Sequence, residues 1–163
     1  MQFKLPNNMK CQIKINTKGI GNLTNALLSN KKAIRVGILG NDNSRNDGLS
    51  NATIGAMQEF GSENKKIPAR SFLKMPITTK QEEIGRFAQK SLANSLKNND
   101  IETSLNQIGL FSVGVIQGAF DTKGFGMWSP NAPMTIKLKK SSSPLIDTGE
   151  LRRSISHDII NVK

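Results

Sequence analysis

Apolar and polar residues alternate at Cys11–Ile15, where Cys11, Ile13 and Ile15 share one face, and again at Ala33–Gly40, where Ile34, Val36 and Ile38 do. A period of two marks a half-buried strand, so both stretches are predicted as strands. Between them Leu23, Ala26 and Leu27 recur at helical spacing. Asn41–Ser50 consists of turn formers and charges and reads as an exposed, mobile loop. Ser50 or Asn51 then caps a short helix, with Gly61 just past its end. The following stretch contains Pro68 and Pro76, which break a long helix and predict an extended connection.

Two longer helical stripes come next. Thr79 and Glu82 have capping-box spacing, and Ile84, Phe87, Ala88, Leu92 and Leu96 fall on one face beyond them. After a polar break, Ile101, Leu105, Ile108, Val115, Ala119 and Phe120 form a second stripe despite Gly109, Gly114 and Gly118. Gly114 and Gly118 have the spacing of a close helix contact and are expected to pack inside the domain. Residues 121–143 lack a clear period and read as a long functional loop or irregular hairpin arm. Asp147 or Thr148 is expected to cap a short helix, and Ile155, His157 and Ile159 alternate with Ser156, Asp158 and Ile160 as a closing strand.

These elements predict an α+β fold: a small mixed or antiparallel sheet packed against two long helices, with extended loop arms. The 163 residues suit one domain, with its core at about 11–40 and 51–162, the loop at 41–50 and the arm at 121–143. With 36% apolar and 5% aromatic residues and no tyrosine, that core should be mostly aliphatic.

Charge adds a second theme. The formal net charge is +11, so polyanions, nucleic acid first among them, are the default partners. No zinc-finger or RNP signature is present, which argues against sequence-specific reading. One cysteine, Cys11, offers neither an intrachain disulfide nor zinc-ligand spacing. The start lacks a signal-peptide pattern, and the longest apolar run, Ile108–Phe120, is too short to span a bilayer, so a soluble protein without membrane contact is expected.

Candidate catalytic groups are sparse. Asp147 and Glu150 have the spacing to share a helical face as paired acids, but a carboxylate in a first helical turn is more simply a partner for the helix dipole. His157 would need Ser154 and Asp158 nearby, yet adjacent strand residues face opposite sides. The glycines of Gly37–Asp42 lack the rest of a phosphate-binding motif, and Glu82 and Glu83 have no further ligand one turn away. No enzyme, metal or cofactor is expected. Cations in or beside loops, Lys31, Lys32, Lys65, Lys66, Arg70, Lys74, Lys123, Lys137, Lys139 and Lys140, are placed to meet phosphate.

Three stretches in order, Asn51–Gly61 with Ile67–Leu73, Gly126–Lys140, and Pro144–Ile155, resemble the tail-completion and virion-morphogenesis (head-tail joining) proteins of tailed phages, typified by the phage Mu-type morphogenesis protein. The likeness spans about Ala33–Ile160. Glu59-Phe60-Gly61 and Ile67-Pro68-Ala69-Arg70 match the first part of the family pattern. Trp128, Pro130, Thr135 and Lys139 match the second, and Pro144–Gly149 (with its Asp147-Thr148-Gly149), Leu151, Ser154 and Ile155 the third. Gln58, where members often carry His, and Ser71, where many carry Pro, depart from it.

The resemblance implies a noncatalytic virion protein assembled as a ring, commonly a hexamer, at the head-proximal end of a tail. It would cap the tail tube, meet the head connector or stopper, and surround the channel through which DNA passes. Assembly in the host cytoplasm follows from that role. On this reading Trp128, Pro130, Phe125, Arg152 and Arg153 are candidate subunit-interface residues, and Lys65, Lys66, Lys137, Lys139 and Lys140 candidates to face DNA. A nonspecific nucleic-acid-binding protein, a minor tail protein at another position, and a hydrolase built on Asp147, Glu150 or His157 are the competing expectations.

Overall fold

A computed structural model describes residues 31–39, 48–64, 66–98, 100–139 and 142–162. The strand expected at Cys11–Ile15, the helix around Leu23–Leu27, most of the loop at 41–50, Lys65 and Lys140 lie outside them. The described residues form a mixed α and β structure of six helices and one two-stranded antiparallel sheet.

Strand β1 (Lys32–Ile38) pairs with β2 (Ile155–Asn161), placing Ile34 opposite Ile159, Val36 opposite His157 and Ile38 opposite Ile155. The alternation read from sequence therefore puts these six side chains on one face, where they meet a long helix. On the other face Arg35 pairs with Asp158 at 3.0 Å.

Helix α1 (Asn51–Phe60) begins as expected: Ser50 Oγ accepts from Thr53 N at 3.0 Å, and Gly61 ends the helix at φ 76°. The connection after it is not extended throughout: it makes a turn closed by Ser62 N donating to Ile67 O at 2.9 Å, and Leu73 is already in helical backbone where α2 (Lys74–Thr79) begins. Pro76 does not break this helix. It sits in the first turn, where its missing N–H has no intrahelical partner to lose, and its ring is buried. The expected capping box also fails. Thr79 closes α2 and turns its hydroxyl to Met75 Sδ at 3.5 Å, while the next helix is entered through Lys80, whose carbonyl accepts from Ile84 N at 3.0 Å.

Helices α3 (Gln81–Asn98) and α4 (Ile101–Asp121) are the two long ones. They pack through Phe87 stacked on Phe111, with ring centroids 4.3 Å apart, and through Ser104 Oγ donating to Ser91 O at 2.8 Å. Both strands lie against α4, so this helix is sandwiched between sheet and α3, where the sequence had suggested a sheet covered by both helices. Ile116 joins the buried stripe and Val115 is only half-buried. Gly114 and Gly118 have open space where a side chain would be, contrary to the close packing expected of them; the tight glycine is Gly109, beneath the His157 ring.

The core gathers Phe72, Ile116, Ala119, Phe120, Trp128, Leu145, Leu151 and Ile155. Phe120 stands edge-on to both Phe72 (5.6 Å) and Trp128 (5.4 Å). Aromatics thus hold the centre of a core that composition had suggested would be aliphatic. Of the expected arm, the described residues 121–139 are not extended in this structure. After α4 the chain turns back on itself, with Gly124 N donating to Ala119 O at 2.6 Å and positive φ at Lys123, Gly124, Phe125 and Gly126. It delivers Trp128 into the core and then forms α5 (Pro133–Lys139) in place of the loop or hairpin arm expected there. A last short helix, α6 (Glu150–Arg153), leads into β2.

Candidate functional site

The three stretches that carried the resemblance meet around one connection, Gly61–Leu73. Glu59, near the end of α1, directs its carboxylate at the start of α2. It accepts from Ser71 Oγ (2.6 Å), Phe72 N (2.7 Å), Leu73 N (2.9 Å) and Lys74 N (3.2 Å). Ser71 Oγ in turn accepts from Met75 N at 3.0 Å. A helix start offers unpaired N–H groups and a partial positive charge, and Glu59 answers both from a neighbouring helix.

Arg70 performs the matching task on the other side. It is only 7% exposed, and its Nε and Nη2 donate to Ser129 O (2.7 Å) and Pro130 O (2.9 Å). Burial pushes the guanidinium below its ordinary value, while the two carbonyls supply hydrogen bonds that water would otherwise provide. One residue on, Ser71 O accepts from Trp128 Nε1 at 3.0 Å. The segment Arg70–Ser71 is therefore stitched to Trp128–Pro130 across nearly sixty residues of sequence.

Trp128, expected as an interface anchor on an arm, is 8% exposed and filled in by its own chain. Gly124 has to be a glycine here, because a Cβ would collide with the indole at a φ of +68°. The Asp-Thr-Gly turn also differs from expectation. Gly149 at φ 77° occupies the cap position of α6, with only a long 3.5 Å contact from Glu150 N to Thr148 Oγ1, and Asp147 is exposed. Leu151, two residues on, is buried in the core.

Beside the stitched segments lies a groove of about 580 Å³, bounded by the Ser62–Ile67 turn on one side and α5 on the other. Lys66, Arg70 and Lys139 contribute three cations to its lining, which contains no carboxylate. Pro68, Pro130 and Thr135 form parts of its wall, and buried Gln58 Oε1, also lining it, has no hydrogen-bond partner in the structure. Sequence reasoning had named Lys66, Pro68, Arg70, Pro130 and Lys139 separately; the fold brings them together. Gln58 and Ser71 depart from the family pattern in sequence, and nothing in their spacing signals their position here. Lys137 is exposed on α5 outside the groove lining.

The other candidates lie elsewhere. Arg152 pairs with Asp121 at 2.8 Å, Arg153 is exposed, and Phe125 is half-buried with Lys80 Nζ 5.6 Å from its ring centroid. Phe60 is 81% exposed. The groups of the conceivable hydrolase are each engaged separately. His157 Nε2 contacts Asn106 Oδ1 at 3.3 Å, Ser154 Oγ donates to Leu151 O at 2.8 Å, and Asp158 holds Arg35. Among the described residues no three His, Cys, Asp or Glu side chains cluster as metal ligands, and no helix is long and apolar enough to cross a membrane.

A scan against protein-family models, a search of curated proteins and a search of solved structures each returned no match to this chain.

Proposed function

We propose that this chain is a noncatalytic structural subunit of a phage tail, a tail-completion, terminator or head-tail joining protein working as a ring at the head-proximal end of the tail. The observation that carries the reading is the stitching of the resemblance segments. Glu59 accepts from Phe72 N within the first segment, Arg70 of the first segment donates to Ser129 O of the second, Trp128 of the second donates to Ser71 O of the first, and Leu151 of the third enters the same core as Trp128. Residues shared with a family pattern thereby act as one framework, which is how a scaffold rather than a reaction centre uses them.

In this reading the framework presents the basic groove and the turn carrying Lys66 toward DNA or an acidic neighbour, and homo-oligomerisation, connector and tube contacts fall on the remaining surface. Negative-stain electron microscopy and mass measurement of the purified protein, alone and with tail tubes, test it. Rings or capped tubes support the proposal; monomer alone under both conditions rejects it.

A nucleic-acid-binding protein acting without a ring is the second reading, favoured by a groove lined with three cations and no acid. It requires tight DNA binding by the monomer that falls steeply as salt rises, through counterion release.

A further inference from the structure

Helix α5 is a poorly covered element. None of its residues is buried, and Met134 and Leu138, four apart on one face, are 69% and 78% exposed. Lys137 and Lys139 lie in its last turn, and Asn131–Ile146 contains no acidic residue. Single exposed apolar residues are ordinary on a protein surface, but an aligned pair on a helix with no buried side is a ready contact.

Elsewhere the chain carries an apolar groove of about 320 Å³, lined by Lys80, Glu83, Phe111, Gly114, Val115 and Phe125. None of these residues lines the basic groove beside α5. Gly114 leaves the floor open, with no atom from outside its own stretch of helix within 4 Å of where its Cβ would be. At the rim, Glu83 pairs with Lys80 at 3.2 Å in solvent, next to exposed Glu82. Such a surface pair is worth little, so Glu83 is available to exchange Lys80 for another cation.

We infer that copies of this chain join head to tail, with Met134 and Leu138 of one α5 seated in the Phe111–Val115–Phe125 groove of the next copy and Lys137 directed to Glu82 and Glu83. This rests on the ring reading above and names its contact. The occupant is a second copy because projection and groove are unlike, lie on the same chain and differ in charge at their edges, cationic beside the projection and, with exposed Glu82 and Glu83 outnumbering Lys80, net acidic at the groove. Unlike surfaces on one subunit give a heterologous contact, which closes into a ring when the rotation allows. Methionine suits the projection because its flexible thioether adapts to an aromatic-lined groove.

Disulfide trapping tests the contact. In a Cys11→Ser background, Leu138→Cys and Val115→Cys variants are mixed and oxidised, and the double variant is oxidised alone. Cross-linked dimer from the mixture, and a ladder from the double variant, are expected; neither single variant should match them. Leu138→Glu, at an exposed site, should raise the concentration for half-assembly about tenfold or more with unchanged circular dichroism, as loss of an interface anchor does.

If rings form without the Leu138–Val115 cross-link, this inference fails and the ring reading stands. If no assembly forms under any condition, both fail. If Leu138→Glu leaves assembly intact but abolishes co-sedimentation with phosphatidylserine vesicles, α5 is a lipid-facing helix and the inference is overturned.

Discussion

The imidazole of His157 on β2 rests against the backbone of Gly109 on α4, so closely that a Cβ at Gly109 would stand 2.6 Å from His157 Cγ. Gly109→Ala is expected to destabilise the fold by about 1–3 kcal/mol through overpacking. Adding His157→Ser should recover most of that loss, a coupling that urea unfolding of the two single variants and the double variant measures. Gly118→Ala, on the same helix but facing open space, should stabilise by about 0.5–1 kcal/mol, since only the conformational cost of glycine is removed.

Glu59→Gln should lower stability by about 1.5–3 kcal/mol. The charged acceptor is lost, and one amide oxygen cannot satisfy the four donors from Ser71 to Lys74 that the two carboxylate oxygens now serve. A lowered urea midpoint with unchanged slope is the expected result.

Arg70→Lys should loosen the contact with Ser129 and Pro130 at a cost of about 1–3 kcal/mol, because an ammonium on a flexible stem does not reproduce the fork that reaches two carbonyls. Trp128 is the only tryptophan. Its fluorescence therefore reports this contact directly: a shift to longer wavelength before global unfolding is expected in the variant.

Asp100 supplies a pH-dependent term. Its carboxyl is held below its ordinary value of 3.8 by hydrogen bonds from the Thr103 hydroxyl and then the Thr103 N–H, against a small opposing desolvation. A carboxyl depressed in the folded state contributes fully above its unfolded value and loses that contribution as pH falls through the folded one. Asp100→Ala should therefore melt earlier than the parent at neutral pH, and the gap should close as pH drops below 3.8. Asp100→Asn, which keeps a capping oxygen, should show less of this pH dependence.

Elements governed by local periodicity were legible in the sequence. Ile34, Val36 and Ile38 alternate into a strand, Ser50 caps a helix that Gly61 ends, and both long helices follow their apolar stripes. The misreadings came where partners distant in sequence decide. Pro76 lies in a helix because Glu59 receives that helix's N–H groups from another element. The chain after α4 folds back because Trp128 has Phe72 and Phe120 to pack against. The glycine that matters for packing on α4 is set by His157, not by the spacing of Gly114 and Gly118. The candidate site was legible as a set of residue types, but its convergence depends on Arg70 reaching Ser129 and Pro130, which no local pattern encodes.

The pairing of β1 with β2 joins residues 32–38 to residues 155–161, with nearly the whole described chain between them. During synthesis β1 waits for β2, and Ile155 is itself part of the core. The helices can form early, but the apolar face of α4 that the sheet covers stays open until Asn161 has left the ribosome. Closing so long a loop makes final docking slow relative to helix formation. A truncation that removes β2 would leave this face uncovered, so its signature should be aggregation during synthesis rather than a shortened protein of weaker activity.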